Sequence, residues 1–453
     1  MTAPAPPPSP TPTPSPAPPA PAAPAASRTA PSPGTVARAK AASPASAESV
    51  ARYRFTATAG GPTIVRAEGC ELIRDDGRRI LDGAAGALVS NNGHGRREVA
   101  EAVWAAMMEL DYVVPTWSTP SRLALADELV EHWLPEGCNH VFFAAGGSEA
   151  NDTAFRLARY HHLSNGQEQR YKIIGRQPSY HGATLATLSA GGHTARRRGY
   201  EPLLAEWPKA PWDDANALAA AIEAAGPETV AAFIAEPVIG AAGGALVASE
   251  DYWVMVQEVC SHYGVLTIAD EVMCGFGRTG SRWGHEQDPW SPDILVAAKG
   301  LGGGYVPISM VSARDAVVDP VTDAGRNVMF FTYSSHDAAC AGALKVLEIL
   351  TREDLLARVG PMGEHLRRRL HEALDGSDRV TAIRGRGLMT GIELAGCTTL
   401  GVVAAALDRG LWCYPSAAGA PMADAVMLAP PFVVTEDEVD RMVEILASAI
   451  AAA

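Results

Sequence analysis

Apolar positions recur along this chain with two different periods, and the changes of period mark its elements. Residues 97–110 and 121–134 space their apolar side chains by three and four, which predicts amphipathic helices. Residues 71–82, ELIRDDGRRILD, predict a hairpin with Asp76-Gly77 at its turn. A short apolar run at 140–144 meets Gly146-Gly147-Ser148 and opens a helical stretch in which Ala150, Ala154, Leu157 and Ala158 share a face. The runs 171–174, 229–235, 264–269 and 293–297 are strand-like, with helical segments between several of them. Strands alternating with helices imply an α/β protein with a mainly parallel sheet covered on both faces. Helices are expected at 338–350, 354–374 and 399–409. A final one at 435–450, TEDEVDRMVEILASAI, has Thr435 as N-cap. No internal repeat is visible.

Composition divides the 453 residues unevenly. Residues 1–47 hold 15 of the 34 prolines, no acidic residue, and only Arg28, Arg38 and Lys40 as charges. Such a segment buries too little apolar surface to offset its ordering entropy and is expected to be disordered, as a solvated extension or a docking tail. The remaining 400 or so residues suffice for a large core and two domains. They carry 34 Lys+Arg against 51 Asp+Glu, so a nucleic-acid partner, which needs clustered cations, is not expected. The seven cysteines are scattered, with no C-x-x-C pair, which argues against a disulfide framework and a zinc site. A reducing, cytoplasmic location is expected, with no metal, and no apolar stretch predicts a leader or a membrane span.

Four local patterns carry chemistry. In AAGGSEAND, 144–152, glycines let the backbone approach an anion at a helix N-terminus, although a glycine turn also serves helix packing. GVLTIADEV, 264–272, sets Asp270-Glu271 at a strand's carboxyl end, where α/β proteins keep ligands. A P-loop ATPase is excluded because no Gly-Lys pair occurs in the chain. GFGRTG, 275–280, matches a dinucleotide fingerprint in letters only, since no amphipathic helix follows it. In ILVAAKGLGGGYVPIS, 294–309, Lys299 is either solvated or held near an electrophile, where desolvation would make it a carbonyl nucleophile. A phosphate cradle, a carboxylate at a strand end and a lysine 29 residues later are the parts a pyridoxal phosphate site needs.

The chain resembles the class III (omega, or subgroup II) aminotransferases, pyridoxal-phosphate enzymes of fold type I. Motifs that carry the resemblance include ILDGAAGALVSNNGHG, FFAAGGSEANDTAFRLAR, PSYHGAT, IAEPVIGAAGG, IADEVMCGFGRTG, AAKGLGGGYVPIS and FTYSSHDAACAGAL, in family order. The resemblance implies a large cofactor-binding domain at 101–343 and a smaller α+β domain built from 48–100 and 344–453. It implies that Lys299 holds the cofactor as an imine and shuttles a proton, and that Asp270 pairs with the pyridinium nitrogen. Val272 would pack beneath the ring, Gly147 and Ser148 would bind the phosphate, and Tyr180 would stack on the ring with His181 shaping that wall. Glu236 would sit near the cofactor's 3′-hydroxyl, or, like His181, serve only structure. Thr332 would reach the phosphate of a neighbouring subunit, so a homodimer with shared sites is implied. The implied reaction moves an amino group from an amine or amino acid to a keto acid or aldehyde.

Two positions depart from the family pattern. Asp337 stands where FTYSxHP has proline. No arginine occurs between Arg409 and Arg441, where many relatives bind the substrate carboxylate. Arg196, Arg197 and Arg198 are candidate replacements, or a solvated loop, and Trp117 lies where relatives build the pocket entrance. The missing arginine also leaves room for elimination, decarboxylation, epimerisation or carbon–carbon bond formation on the same cofactor in a natural-product pathway.

Overall fold

The four apolar runs in the middle of the chain become adjacent parallel strands: Lys172–Gln177, Val230–Ala235, Leu266–Asp270 and Ile294–Ala297. Every residue of Val230–Ala235 and of Ile294–Ala297 is buried, because both faces of the sheet are covered, and this is why no polar alternation is seen there. The computed structural model describes residues 61–416 and 424–453. The proline-rich segment 1–47 and the reading of it as a disordered tail lie outside these residues.

The central sheet has seven strands in the order His140–Ala144, Ser309–Ala313, Ile294–Ala297, Leu266–Asp270, Val230–Ala235, Lys172–Gln177, Lys209–Pro211. Ser309–Ala313 runs antiparallel to both of its neighbours. The strands His140–Ala144, Lys172–Gln177, Val230–Ala235, Leu266–Asp270 and Ile294–Ala297 therefore all end at one edge of the sheet. That edge is where ligands collect in open α/β sheets. The helix Gly147–Ser164 packs on this sheet through the predicted face, with Ala150, Ala154, Leu157 and Ala158 all buried.

The hairpin forms as expected from Glu71–Arg74 and Arg79–Asp82, with Gly77 at φ 84°, a conformation glycine adopts without strain. Leu411–Trp412, near the other end of the chain, pairs in parallel with Leu81 and Asp82 and extends this small sheet to four strands. A second four-stranded sheet joins Val380–Arg386, Met389–Leu394, Ala425–Leu428 and Tyr414–Ser416. The last helix, Glu436–Ala452, opens with a capping box between Thr435 and Glu438 and buries Val439, Met442, Val443, Leu446 and Ile450. The segment expected as one helix at 121–134 is α-helical over Pro120–Glu128 and then widens to a π-helix, Leu129–Trp133. Among the described residues no helix is long and apolar enough to cross a membrane.

Candidate active site

One cavity of about 310 Å³ opens at the carboxyl edge of the sheet. Five strand ends supply its polar walls. Gly146, Gly147 and Ser148 follow His140–Ala144; Tyr180 and His181 follow Lys172–Gln177; Glu236 follows Val230–Ala235; Asp270 ends its own strand; Lys299 follows Ile294–Ala297. Residues dispersed over more than 150 positions of sequence thus converge because parallel strands all present the same end. Val89, Val272, Met273, Ile308 and Tyr414 add an apolar lining.

At the base of the cavity Asp270 is buried at 3% exposure and held by three donors. Its Oδ2 accepts from Asn151 Nδ2 at 2.9 Å and lies 2.8 Å from His181 Nδ1, and its Oδ1 accepts from the Val272 N–H at 3.1 Å. Asn151 also donates to the His181 carbonyl at 2.8 Å. Asn151 was not singled out by sequence. The signal for it was a polar residue on the apolar face that carries Ala150, Ala154 and Ala158.

Glu236 is buried without a cation paired to it among the described residues. Its carboxylate accepts from the backbone N–H groups of Tyr180 at 3.0 Å and Gly240 at 3.3 Å. Burial pushes its pKa upward, partly offset by the nearby His181 and raised further by Asp270.

Lys299 is half-buried in the cavity wall, and its Nζ donates to the Ala87 carbonyl at 2.8 Å. Burial pushes its pKa from 10.5 down to about 8, while Asp270 and Glu236 pull it back. Its backbone φ of 33° is left-handed, a conformation that costs a non-glycine residue about 1–3 kcal/mol and clusters at functional sites. A lysine so placed is neutral for an appreciable fraction of the time near pH 8, the state in which it attacks carbonyls.

The helix Gly147–Ser164 starts in the cavity wall with Gly146 as N-cap and no side-chain cap. Its first N–H groups and its positive end are left for an anion. At Gly147 a Cβ would stand 3.2 Å from both methyl carbons of Val272, a crowded contact that would push that side chain by a few tenths of an ångström. Ser148 Oγ accepts from the Ala183 N–H at 3.0 Å, which orients its hydroxyl.

These features test whether pyridoxal phosphate suits the residues present. An uncapped helix start suits a phosphate, a buried carboxylate suits a pyridinium nitrogen, and a desolvated lysine suits an aldehyde. In addition, two buried polar atoms beside Asp270, His181 Nε2 and Asn151 Oδ1, have no partner in the described protein. The donor set fits.

None of the remaining sequence candidates lines this cavity. Arg196 lies over the Tyr180 ring, its guanidinium carbon 4.3 Å from the ring centroid. Arg197 instead donates to the carbonyls of Leu188, Ser189 and Gly191 at 2.5, 3.1 and 3.1 Å, tying down the end of a helix, and Arg198 is exposed. Trp117 (65% exposed) and Thr332, also exposed, do not line this cavity. The glycine-rich GFGRTG segment serves the fold instead, because its Arg278 is fully buried and donates to the carbonyls of Leu388 and Pro430 and to Asn91 Oδ1.

Comparison with known proteins agrees with this geometry. The family model for class III aminotransferases matches residues 57–450. The chain is 34% identical to a putrescine–pyruvate aminotransferase of Pseudomonas aeruginosa, covering 86% of this chain and 91% of that protein. It is also 34% identical to a diaminobutyrate–2-oxoglutarate transaminase of Halomonas elongata, over 85% of this chain and 89% of that one. Among solved structures, a Bacillus anthracis aminotransferase superposes with a TM-score of 0.85 at 32% identity, covering 90% of this chain and 98% of that one. The omega transaminase of Pseudomonas jessenii, solved in complex with PMP, superposes with a TM-score of 0.83 at 31% identity, over 89% and 97%. The chain belongs to the class III aminotransferase family, whose members use pyridoxal phosphate, and it has the fold type I architecture.

Proposed function

We propose that this aminotransferase binds pyridoxal phosphate in the cavity at the sheet edge and carries an amino group from an amine or amino acid to a keto acid or aldehyde. One observation carries the reading: a desolvated Lys299, a triply held Asp270 and an uncapped helix start meet in a single cavity. When bound, the cofactor supplies an aldehyde that condenses with amines and a ring that accepts the electron pair of the substrate's α-carbon. The chain's residues do the rest. Gly147 and Ser148 hold the phosphate, and Asp270 keeps a proton on the ring nitrogen. Val272 and Tyr180 would give the ring apolar neighbours, His181 would back that wall and Glu236 would serve the hydroxyl side, while Lys299 Nζ would carry the proton that the transfer moves. The apolar lining excludes water from that transfer.

Relatives named for putrescine and diaminobutyrate as donors, and for pyruvate and 2-oxoglutarate as acceptors, support the substrate class. With no arginine between Arg409 and Arg441, Arg196 at the Tyr180 ring takes the substrate carboxylate in this reading. Loss of a charge-assisted bond costs about 1.5–3 kcal/mol, so Arg196→Gln should raise KM for a keto acid about ten- to a hundredfold. KM for an uncharged aldehyde should stay unchanged.

The working unit in this reading is a homodimer. Met329, Phe330 and Tyr333, close to Thr332 in sequence, are exposed, as are Met107, Met108 and Trp117, and the rings of Tyr112 and Tyr333 meet edge to face at 6.1 Å. Apolar side chains so exposed suit a second copy of the chain, into whose site Thr332 would project. The parallel pairing of Leu411–Trp412 with Leu81 and Asp82 supports a small domain drawn from 48–100 and 344–453, of which 48–60 and 417–423 lie outside the described residues, beside a large one at 101–343. All seven cysteines are free thiols, which supports a cytoplasmic location.

The test is the donor half-reaction. Amino acids and diamines are offered without acceptor, and the released cofactor is weighed by mass spectrometry. Stoichiometric conversion to the pyridoxamine form supports transamination; donor consumed with the cofactor mass unchanged would favour elimination or decarboxylation instead.

A further inference from the structure

Asp337 occupies the position at which the family segment FTYSxHP carries proline, and it makes contacts that a proline cannot. It is the first residue of the helix Asp337–Arg352 and only 6% exposed. Its Oδ1 accepts from the Thr119 hydroxyl and its Oδ2 from the Ser121 hydroxyl, the latter at 3.1 Å. Thr119 is also the N-cap of Pro120–Glu128. From the same turn Arg122, 7% exposed, reaches the Ser335 carbonyl through Nε at 2.5 Å. Its other nitrogens donate to the carbonyls of Val113 at 2.9 Å, Val114 at 3.1 Å and Trp117 at 2.6 Å. Two segments more than 200 residues apart in sequence are thereby fastened into one piece. Trp117 rides on one segment and Thr332 on the other, both exposed and neither lining the cavity of its own chain.

We propose that Asp337 is a positioning residue that sets Thr332 and Trp117 together, so that phosphate grip and substrate entrance in the neighbouring subunit's site are coupled in this chain. The proposal rests on the shared-site reading given above. A proline at this helix position would stiffen the 332–337 turn and is well tolerated by the helix, but it offers no acceptor to Thr119 or Ser121. The carboxylate replaces local stiffness by a tether to the second segment, and as an anion at a helix start it is favourably placed.

The two alternatives separate in three full-length holoenzyme variants: Asp337→Ala, Asp337→Pro, and Thr119→Val combined with Ser121→Ala. Hydrogen exchange of the amides at 113–121 should accelerate about tenfold or more in all three, because each removes charge-assisted bonds from a buried tether. KM for a bulky donor should rise about tenfold in all three with kcat little changed. Pyridoxal phosphate retention should fall in Asp337→Ala and stay within about twofold in Asp337→Pro, whose ring holds the Thr332 turn by itself. Unchanged exchange at 113–121 in Asp337→Pro would overturn the tether. Faster exchange with unaltered KM would overturn the coupling. Failure of the shared-site reading is read separately, from Thr332→Ala leaving cofactor retention unchanged.

Discussion

Replacing Asn151 by alanine probes the least conspicuous member of the site. The side-chain amide makes one bond to a carboxylate, Asp270 Oδ2 at 2.9 Å, and one to a neutral acceptor, the His181 carbonyl at 2.8 Å. Asn151 is 0% exposed, so bulk water does not substitute for it. A bond to a charged group is worth about 1.5–3 kcal/mol and a neutral one about 0.5–1.5 kcal/mol. Asp270 keeps His181 Nδ1 and the Val272 N–H, so it remains buried and paired but loses the donor that fixes its plane. If the charged bond is expressed in the transition state, the donor half-reaction slows by about ten- to a hundredfold. Single-turnover kinetics with saturating donor reads that rate free of KM, and thermal unfolding reads stability alongside. The reasoning fails if Asn151→Ala melts lower yet turns over at the wild-type rate, because the amide would then serve only packing.

Two further outcomes follow from the same geometry. Lys299 titrates near 8 in the folded apoenzyme against 10.5 in the unfolded chain, so the unfolded chain binds more protons between these values and stability at this position rises with pH across that window. Lys299→Met apoenzyme should exceed wild type at pH 7, with the pH-dependent part of the gap about 3 kcal/mol and closing toward pH 10.5; denaturant titrations that give a constant gap would refute the desolvated lysine. Thr332→Ala should weaken cofactor retention about ten- to a hundredfold. In mixed dimers with Lys299→Ala chains, the single lysine-bearing site should retain cofactor normally, because the Lys299→Ala chain donates an intact Thr332. Weak retention there would refute threonine exchange between subunits.

Local signals in the chain carried most of the fold. The Asp76-Gly77 turn and the Thr435 capping box depend on neighbours within four residues, so their letters suffice. The four parallel strands were legible because burial on both faces leaves continuous apolar runs. The antiparallel Ser309–Ala313 was not anticipated as a strand: it is a short apolar stretch next to the glycine-rich turn, and its pairings with Ile294–Ala297 and His140–Ala144 are set by the sheet. The sheet joining Met389–Leu394 to Ala425–Leu428 was not anticipated either. The break at Glu128 was invisible because a π-turn changes hydrogen-bond register without changing residue type; the Trp133 indole reaches Glu128 Oε1 there at 3.2 Å. At the site, the strand-end setting drew attention to Asp270, whereas for Lys299 that setting left a solvated side chain open and its role came from the combined motifs and the resemblance. Asn151 gained a role only when the sheet brought it to Asp270, and Asp337, already marked as a departure from FTYSxHP, gained its partners only when Thr119 and Ser121 were found beside it.

The central claim is that Lys299 holds pyridoxal phosphate. Borohydride reduction of the holoenzyme, followed by proteolysis and mass spectrometry, tests it directly. The account predicts a single phosphopyridoxyl adduct on the peptide containing Ala298-Lys299-Gly300, absent when an amino donor is added first. Modification of another lysine, such as the half-buried Lys209 whose pKa falls to about 7, with Lys299 unmodified, would contradict it.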